Sequence, residues 1–329
     1  MKKKGVDFLL LLAAGAAVFL LIAGLAWIGV IGEFYLQLIS TAGIYIIVSL
    51  SLNLITGFTG QLALGHAGFM SIGAYTAAIF VMRLGVPLLP SVLLGGAMSA
   101  LFGYLIGFPT LRLRGDYLAI TTLGFGEIIR VVLNNLEGIT GGSAGLKSIP
   151  GFSDTGDVML DAIIKFAWIF VFFAVTVAVI SNLVRSSPGR TIVSVREDEI
   201  ASTSMGNDVA RYKMLSFTVS ALFAGIGGGL YSALFNYLNP SNFNFLYSVN
   251  FVVIAVLGGL GSITGTVLGG LIFTFAQEWL RVLKDFRLVV FGLLLILLML
   301  FWQKGIMGSK ELSITRILRR ILGLGGKKE

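Results

Sequence analysis

Apolar stretches of roughly 20 residues recur along this chain, and each is long enough to cross a ~30 Å hydrocarbon core. That recurrence restricts the fold more than any other feature of the 329 residues. The chain is 56% hydrophobic and 12% charged, with mean hydropathy +0.94. Soluble domains carry about 25% charged residues, so lipid is the main solvent here. The reading is an all-α polytopic membrane protein, with no stretch left over for a soluble catalytic domain.

The expected spans are 8–31, 34–56, 63–82, 88–109, 116–135, 163–184, 214–236, two within 245–280, and 286–303. Some should be short or broken. The span at 63–82 overlaps a Gly-rich turn at 57–68, so its start should be unwound. The region 245–280 is too long for one crossing and is interrupted at Gly258-Gly259-Leu260-Gly261. Parity decides how to divide it. Lys2, Lys3 and Lys4 begin the chain, and Lys304, Lys310, Arg316, Arg319, Arg320, Lys327 and Lys328 end it. Basic ends belong in the cytoplasm, which demands an even number of spans, about ten. Nine spans with a re-entrant segment is the alternative. Arg112 and Arg114 then mark a cytoplasmic turn, and the loop 136–161, poor in Lys and Arg, lies outside.

The first apolar run exceeds the 7–15 residues of a signal-peptide core, so it reads as a span. The tail 304–329 spaces Ile314, Ile317, Leu318, Ile321 and Leu322 at helical intervals, as an amphipathic helix on the inner leaflet would. The net charge of +8 is concentrated in tails and short loops, the pattern of a membrane protein and not of a nucleic-acid binder. With no Cys and one His, disulfides are excluded and zinc sites nearly so. The 43 glycines suit closely packed membrane helices. The Gly-rich interruptions near 57–68 and 258–265 can be read as equivalent elements of two halves.

Between two spans lies a polar island, Ser186 to Lys213. Ser187-Pro188 offers an N-cap followed by Pro at the first helical position. Ser194-Val195-Arg196-Glu197 fits a capping box opening a second short helix. Gly206 is a natural stop, and Asn207 or Asp208 can cap the next span. Two short, structured helices in water, joined to spans, are what a membrane subunit needs to grip a soluble partner. Within the spans, Glu127 and Arg130 lie three residues apart near mid-membrane, where charges are expensive and face a cavity or each other. His66 falls in the Gly-rich bend near a membrane boundary, able to hydrogen-bond the carbonyls of an unwound helix start.

An enzyme reading meets two obstacles. Gly141-Gly142-Ser143-Ala144-Gly145 fits G-x-S-x-G, but the nucleophile elbow needs a strand–turn–helix context that an aqueous loop between spans lacks. Gly141–Ser148 lacks the adjacent Gly-Lys of a P-loop, so no nucleotide site is expected in this chain.

Several blocks, in order, resemble a known family. The first is Ser187-Pro188-Gly189-Arg190, then Val195-Arg196-Glu197-Asp198-Glu199-Ile200-Ala201 and Gly206. Others are Leu52-Asn53-Leu54 with Gly57, Gly60-Gln61-Leu62, Leu64-Gly65-His66-Ala67-Gly68-Phe69 and Ile72-Gly73-Ala74-Tyr75; Leu111-Arg112-Leu113-Arg114-Gly115-Asp116-Tyr117; Thr122-Leu123-Gly124-Phe125-Gly126-Glu127-Ile128; and Val256-Leu257-Gly258-Gly259-Leu260-Gly261-Ser262. Together they are similar to the permeases of branched-chain amino acid ABC importers, the LivM/LivH group and its LivM-like half in particular. Ala63 stands where that family usually has Ser.

The resemblance implies one transmembrane permease domain over 1–329, with a coupling loop at about 186–213. It implies a LivH-like second permease, two cytoplasmic ABC ATPases, an extracytoplasmic substrate-binding protein, and residence in the plasma (inner) membrane with both termini cytoplasmic. No cofactor is expected in this chain, since ATP hydrolysis would occur in the partners. Gly189, Arg190, Arg196, Glu197, Asp198, Glu199 and Gly206 would serve ATPase coupling. His66, Glu127 and Arg130 are candidates for the path or its gate. The same architecture importing urea, short amides or a sugar stays open. More distant are a pore without ATPases, which has no use for a capped docking loop, and an intramembrane serine hydrolase.

Overall fold

In lipid, a spanning backbone must satisfy its own N–H and C=O groups, and a helix does so within one segment. The computed structural model describes residues 19–286 except 30, 112, 114, 154 and 155, together with 289, 290, 292, 293, 300 and 305–308. Arg112, Arg114, the first part of the expected first span, most of the last span and nearly all of the basic tail lie outside these residues.

Residues 19–27 are helical. Then follow α1 (Glu33–Asn53), α2 (His66–Leu84), α3 (Leu88–Thr110), α4 (Asp116–Asn135), α5 (Val158–Arg185), α6 (Ser187–Glu197), α7 (Glu199–Ser204), α8 (Val209–Phe235), α9 (Phe245–Gly258) and α10 (Ile263–Trp279). Among the described residues, α1 with its continuation to Phe58, α2, α3, α5 and α8 are long and apolar enough to cross a membrane. The expected break in 245–280 falls at Gly259–Ser262 and leaves helices of 14 and 17 residues. At 1.5 Å per residue they reach about 21 and 26 Å, short of a full crossing on their own.

The centre of the bundle is α2, α3 and α8, brought together on glycine. A methyl group added at Gly73 would meet the backbone of Gly225, one at Gly95 the carbonyl of Gly73, and one at Gly228 the carbonyl of Met70. Backbones approach this closely only where small residues face each other. Around this centre, α1 packs against α5, α8 and α10, and α9 lies against α10.

The expected unwound start is present. The last turn of α1 widens into a π-helical turn, Leu54–Phe58. Residues 60–65 then run without helix, and α2 begins at His66. The Gly-rich breaks at 57–68 and 258–265 differ in form, a π turn with extended chain against a tight interhelical turn, and they pack on each other. Asn53 joins them: its Oδ1 accepts from Gly261 N (2.9 Å), and its Nδ2 donates to Ser262 O (3.0 Å) and Thr266 Oγ1 (2.7 Å).

At the end of the bundle opposite α6 and α7, the loop after α4 is stitched to the end of α8. β1 (Leu146–Lys147) pairs antiparallel with β2 (Tyr237–Leu238), Leu146 opposite Leu238. Asn236, left-handed at the end of α8, donates from Nδ2 to Ile149 O and accepts at Oδ1 from Lys165 Nζ.

Candidate functional site

The polar island folds as two helices, but their limits differ from the sequence expectation. Ser186, not Ser187, is the N-cap of α6, with its Oγ accepting from Gly189 N. Pro188 therefore takes the second helical position. The expected capping box at Ser194 is not used. Helix α6 runs through it, because Ile192 and Val195 are buried and hold that turn on the bundle, while Ser194 Oγ bonds back to Thr191 O (2.8 Å). The break comes at Asp198, whose carboxylate accepts from Ile200 N (2.8 Å) and Ala201 N (2.9 Å) and so caps α7. Gly206 follows α7 with φ +84°, a left-handed stop that suits glycine. Asp208 caps α8 through Arg211 N.

Each proposed coupling residue now has a place. Gly189 lies so close to the end of α5 that a methyl group would strike the carbonyls of Leu183 and Val184. It fixes the turn from α5 to α6. Arg190 is exposed. The Glu197 side chain is 71% exposed. Glu199 pairs with Lys213 (2.9 Å), whose side chain is only 7% exposed, and thereby ties α7 to the foot of α8. Arg196 reaches in both directions: its Nη1 donates to Gly57 O (2.8 Å), in the π turn that ends α1, while its Nε lies 3.7 Å from Glu197 Oε1 and its side chain stays 36% exposed.

Two apolar side chains that sequence reasoning passed over stand out on α7 and just beyond it. Ile200 is 72% and Met205 84% exposed. Both lie on an element whose length and polarity keep it in water. The signal was present as apolar residues inside a charged loop, but only the fold shows that they face outward.

On α4, which is not among the helices apolar enough to cross a membrane, Glu127 and Arg130 form an ion pair, Arg130 Nε to Glu127 Oε2 at 2.7 Å, with both side chains about a third exposed (30% and 32%). The other carboxylate oxygen accepts from Phe245 N (3.0 Å), the first residue of α9. One residue thus pairs an internal charge and satisfies an orphan N–H at a helix start.

His66 is fully buried rather than near a boundary. Its Nε2 lies 2.8 Å from Ser220 Oγ, which itself donates to Ser51 O. Ser220 is the twelfth residue of α8, about 16 Å along it at 1.5 Å per residue. The break before α2 therefore reaches the middle of the bundle. Since the one hydroxyl proton goes to Ser51, His66 donates from Nε2 to Ser220 Oγ. Nearby, Ala67 N donates to Ser248 Oγ (3.0 Å) and Leu64 N to Thr122 Oγ1 (3.0 Å). These hydroxyls take the place of helix for a backbone broken inside the membrane. Ser143 sits in an exposed 3₁₀ turn, Gly142–Ala144, and is not brought to His66.

Residues 34–301 match the family model described as branched-chain amino acid transport system / permease component. The chain is 36% identical over 311 residues to the high-affinity branched-chain amino acid transport system permease protein LivM of Salmonella typhimurium, covering 88% of this chain and 73% of that one. Against LivM of Escherichia coli the identity is 35% with the same coverage. Against LivH of Salmonella typhimurium it is 24% over 287 residues, 82% of this chain and 92% of that one. No solved structure matches the chain.

Proposed function

Because this chain belongs to the family of branched-chain amino acid transport permease components, we propose that it is the LivM-like permease subunit of an ATP-binding-cassette importer for leucine, isoleucine and valine. It is a multi-pass transport subunit and not an enzyme. In this reading it pairs with a LivH-like permease to enclose the path. Two cytoplasmic ATPases supply the energy, and an extracytoplasmic binding protein delivers the amino acid. The membrane is the plasma (inner) membrane, with both termini and α6–α7 on the cytoplasmic side, as the basic tails favour.

The observation that carries the proposal is the outward face of α6–α7. The stretch exposes Arg190, Glu197 and Asp198 together with Ile200 and Met205. Exposed apolar side chains among charged ones suit a docking patch, in which a few side chains buried by the partner supply most of the affinity. Glu127 and Arg130 are assigned to the wall of the path. A partly exposed ion pair is too costly to face lipid, so in this reading this edge of α4 looks toward water between the two permeases. His66 supports the broken chain behind that wall.

The test is copurification of the tagged chain from its native membrane, with Ile200→Asp and Met205→Asp as the variant. ABC ATPases should copurify with the native chain and be lost from the variant. Equal recovery with both removes the docking assignment. Their absence from the native complex removes the importer reading.

A further inference from the structure

Arg196 occupies a slot lined by glycine. Its guanidinium reaches Gly57 O at 2.8 Å. A methyl group at Gly60 would come within 3.0 Å of Arg196 Cγ, and one at Gly261 within 2.9 Å of Arg196 Nη1. Gly60 and Gly261 both have positive φ, +75° and +81°, so a side chain at either is disfavoured by conformation as well as by space. The Gly57 carbonyl lies in the widened turn that ends α1, where carbonyls lose their regular helical partners. A cationic donor is the strong way to satisfy one.

The slot is also the junction of three other parts. Asn53 fastens the π turn to the α9–α10 turn through Gly261 N, Ser262 O and Thr266 Oγ1, and Asn53 is fully buried. The chain beyond the expected last span returns to the same turn, with Ile306 N donating to Leu257 O (2.9 Å) and Met307 N to Gly258 O (3.1 Å). From the turn, α9 runs to Phe245, whose N–H is held by Glu127 of α4. A packed, hydrogen-bonded series thus leads from α6 to the Glu127–Arg130 ion pair.

We propose that Arg196 is a positioning residue that joins coupling helix α6 to the α1 π turn and the α9–α10 turn, so that displacement of α6–α7 moves these intramembrane elements. This rests on the ATP-driven permease reading, and deepens it by naming the joint inside the subunit. Neighbouring residues differ in reach: Ile200 and Met205 point outward, while Arg196 spans from the exposed Glu197 carboxylate (3.7 Å) to the Gly57 carbonyl of the bundle (2.8 Å).

The experiment uses the intact complex, purified with its ATPases, reconstituted in vesicles and supplied with its binding protein and leucine. ATP hydrolysed per leucine transported is measured for the native chain, Arg196→Ala and Arg196→Lys. In Arg196→Ala the ATPases stay bound and hydrolysis continues, but transport falls roughly tenfold, the scale of losing one coupling contact. Arg196→Lys, which keeps the charge but not the planar fork, should fall between. Loss of the ATPases from Arg196→Ala, or transport and hydrolysis falling in equal proportion, would each overturn the proposal. Native complexes without ATPases or without ATP-driven uptake would sink the importer reading instead.

Discussion

Gly228 illustrates how single residues set this fold. It lies on α8 where the Met70 carbonyl of α2 leaves no room for a methyl group. Neither helix can retreat without parting from α3, which meets the same pair through Gly95 and Ser99. Gly228→Ala should therefore cost about 1–3 kcal/mol, the range for forcing a methyl group into a filled core. A fall in the thermal midpoint of the detergent-purified protein would report it. Gly138→Ala, where nothing lies within 4 Å, should leave the midpoint unchanged, and equal effects at both sites would contradict the packing account. The abundance of glycine was plain in the sequence, and close packing follows from it. Which glycines bear contacts was not, because a close approach is a property of two segments distant in sequence. His66 shows the same limit. Its Gly-rich context marked an unwound helix start, but its partner Ser220 lies 154 residues away.

At the scale of elements, local signals succeeded where neighbouring structure agreed with them. The start of α2, the split at Gly259–Ser262, the stop at Gly206 and the Asp208 cap were all legible, since each depends on residues within a few positions. The capping box at Ser194 misled, because burial of Ile192 and Val195 carries α6 past a local start signal. Asp198 does the capping instead, and this separates two roles for its side chain. If Asp198 acts as a cap, Asp198→Asn keeps the acceptor oxygen and should retain the ATPases. Asp198→Ala loses about 1 kcal/mol of helix stability and should weaken their recovery in copurification. If its charge is the docking contact, both variants lose the ATPases alike, and the cap account of this residue fails. Ile200 and Met205 escaped the sequence reading because periodicity over a six-residue helix cannot say which face is turned to water.

At the scale of the molecule, the ends of the helices sort without conflict. The turn after α1, the α9–α10 turn and residues 305–308 gather beside α6. The β1–β2 pair and the loops 136–157 and 236–244 gather at the other end. The class of fold was readable from apolar run lengths, and the family from its blocks. The joint at Arg196 was not readable, since it unites residues 53–60, 196 and 259–262. The partly exposed Glu127–Arg130 pair on α4 marks where this subunit should meet water and its permease partner. The central claim is that this chain moves a branched-chain amino acid at the expense of ATP. It is tested most directly by leucine uptake into vesicles holding the purified complex, with ATP on the ATPase side and binding protein on the other. The account predicts accumulation above equilibrium that requires ATP, the binding protein and this chain. Equilibration of leucine without ATP, at a rate that this chain alone sustains, would contradict it and describe a pore.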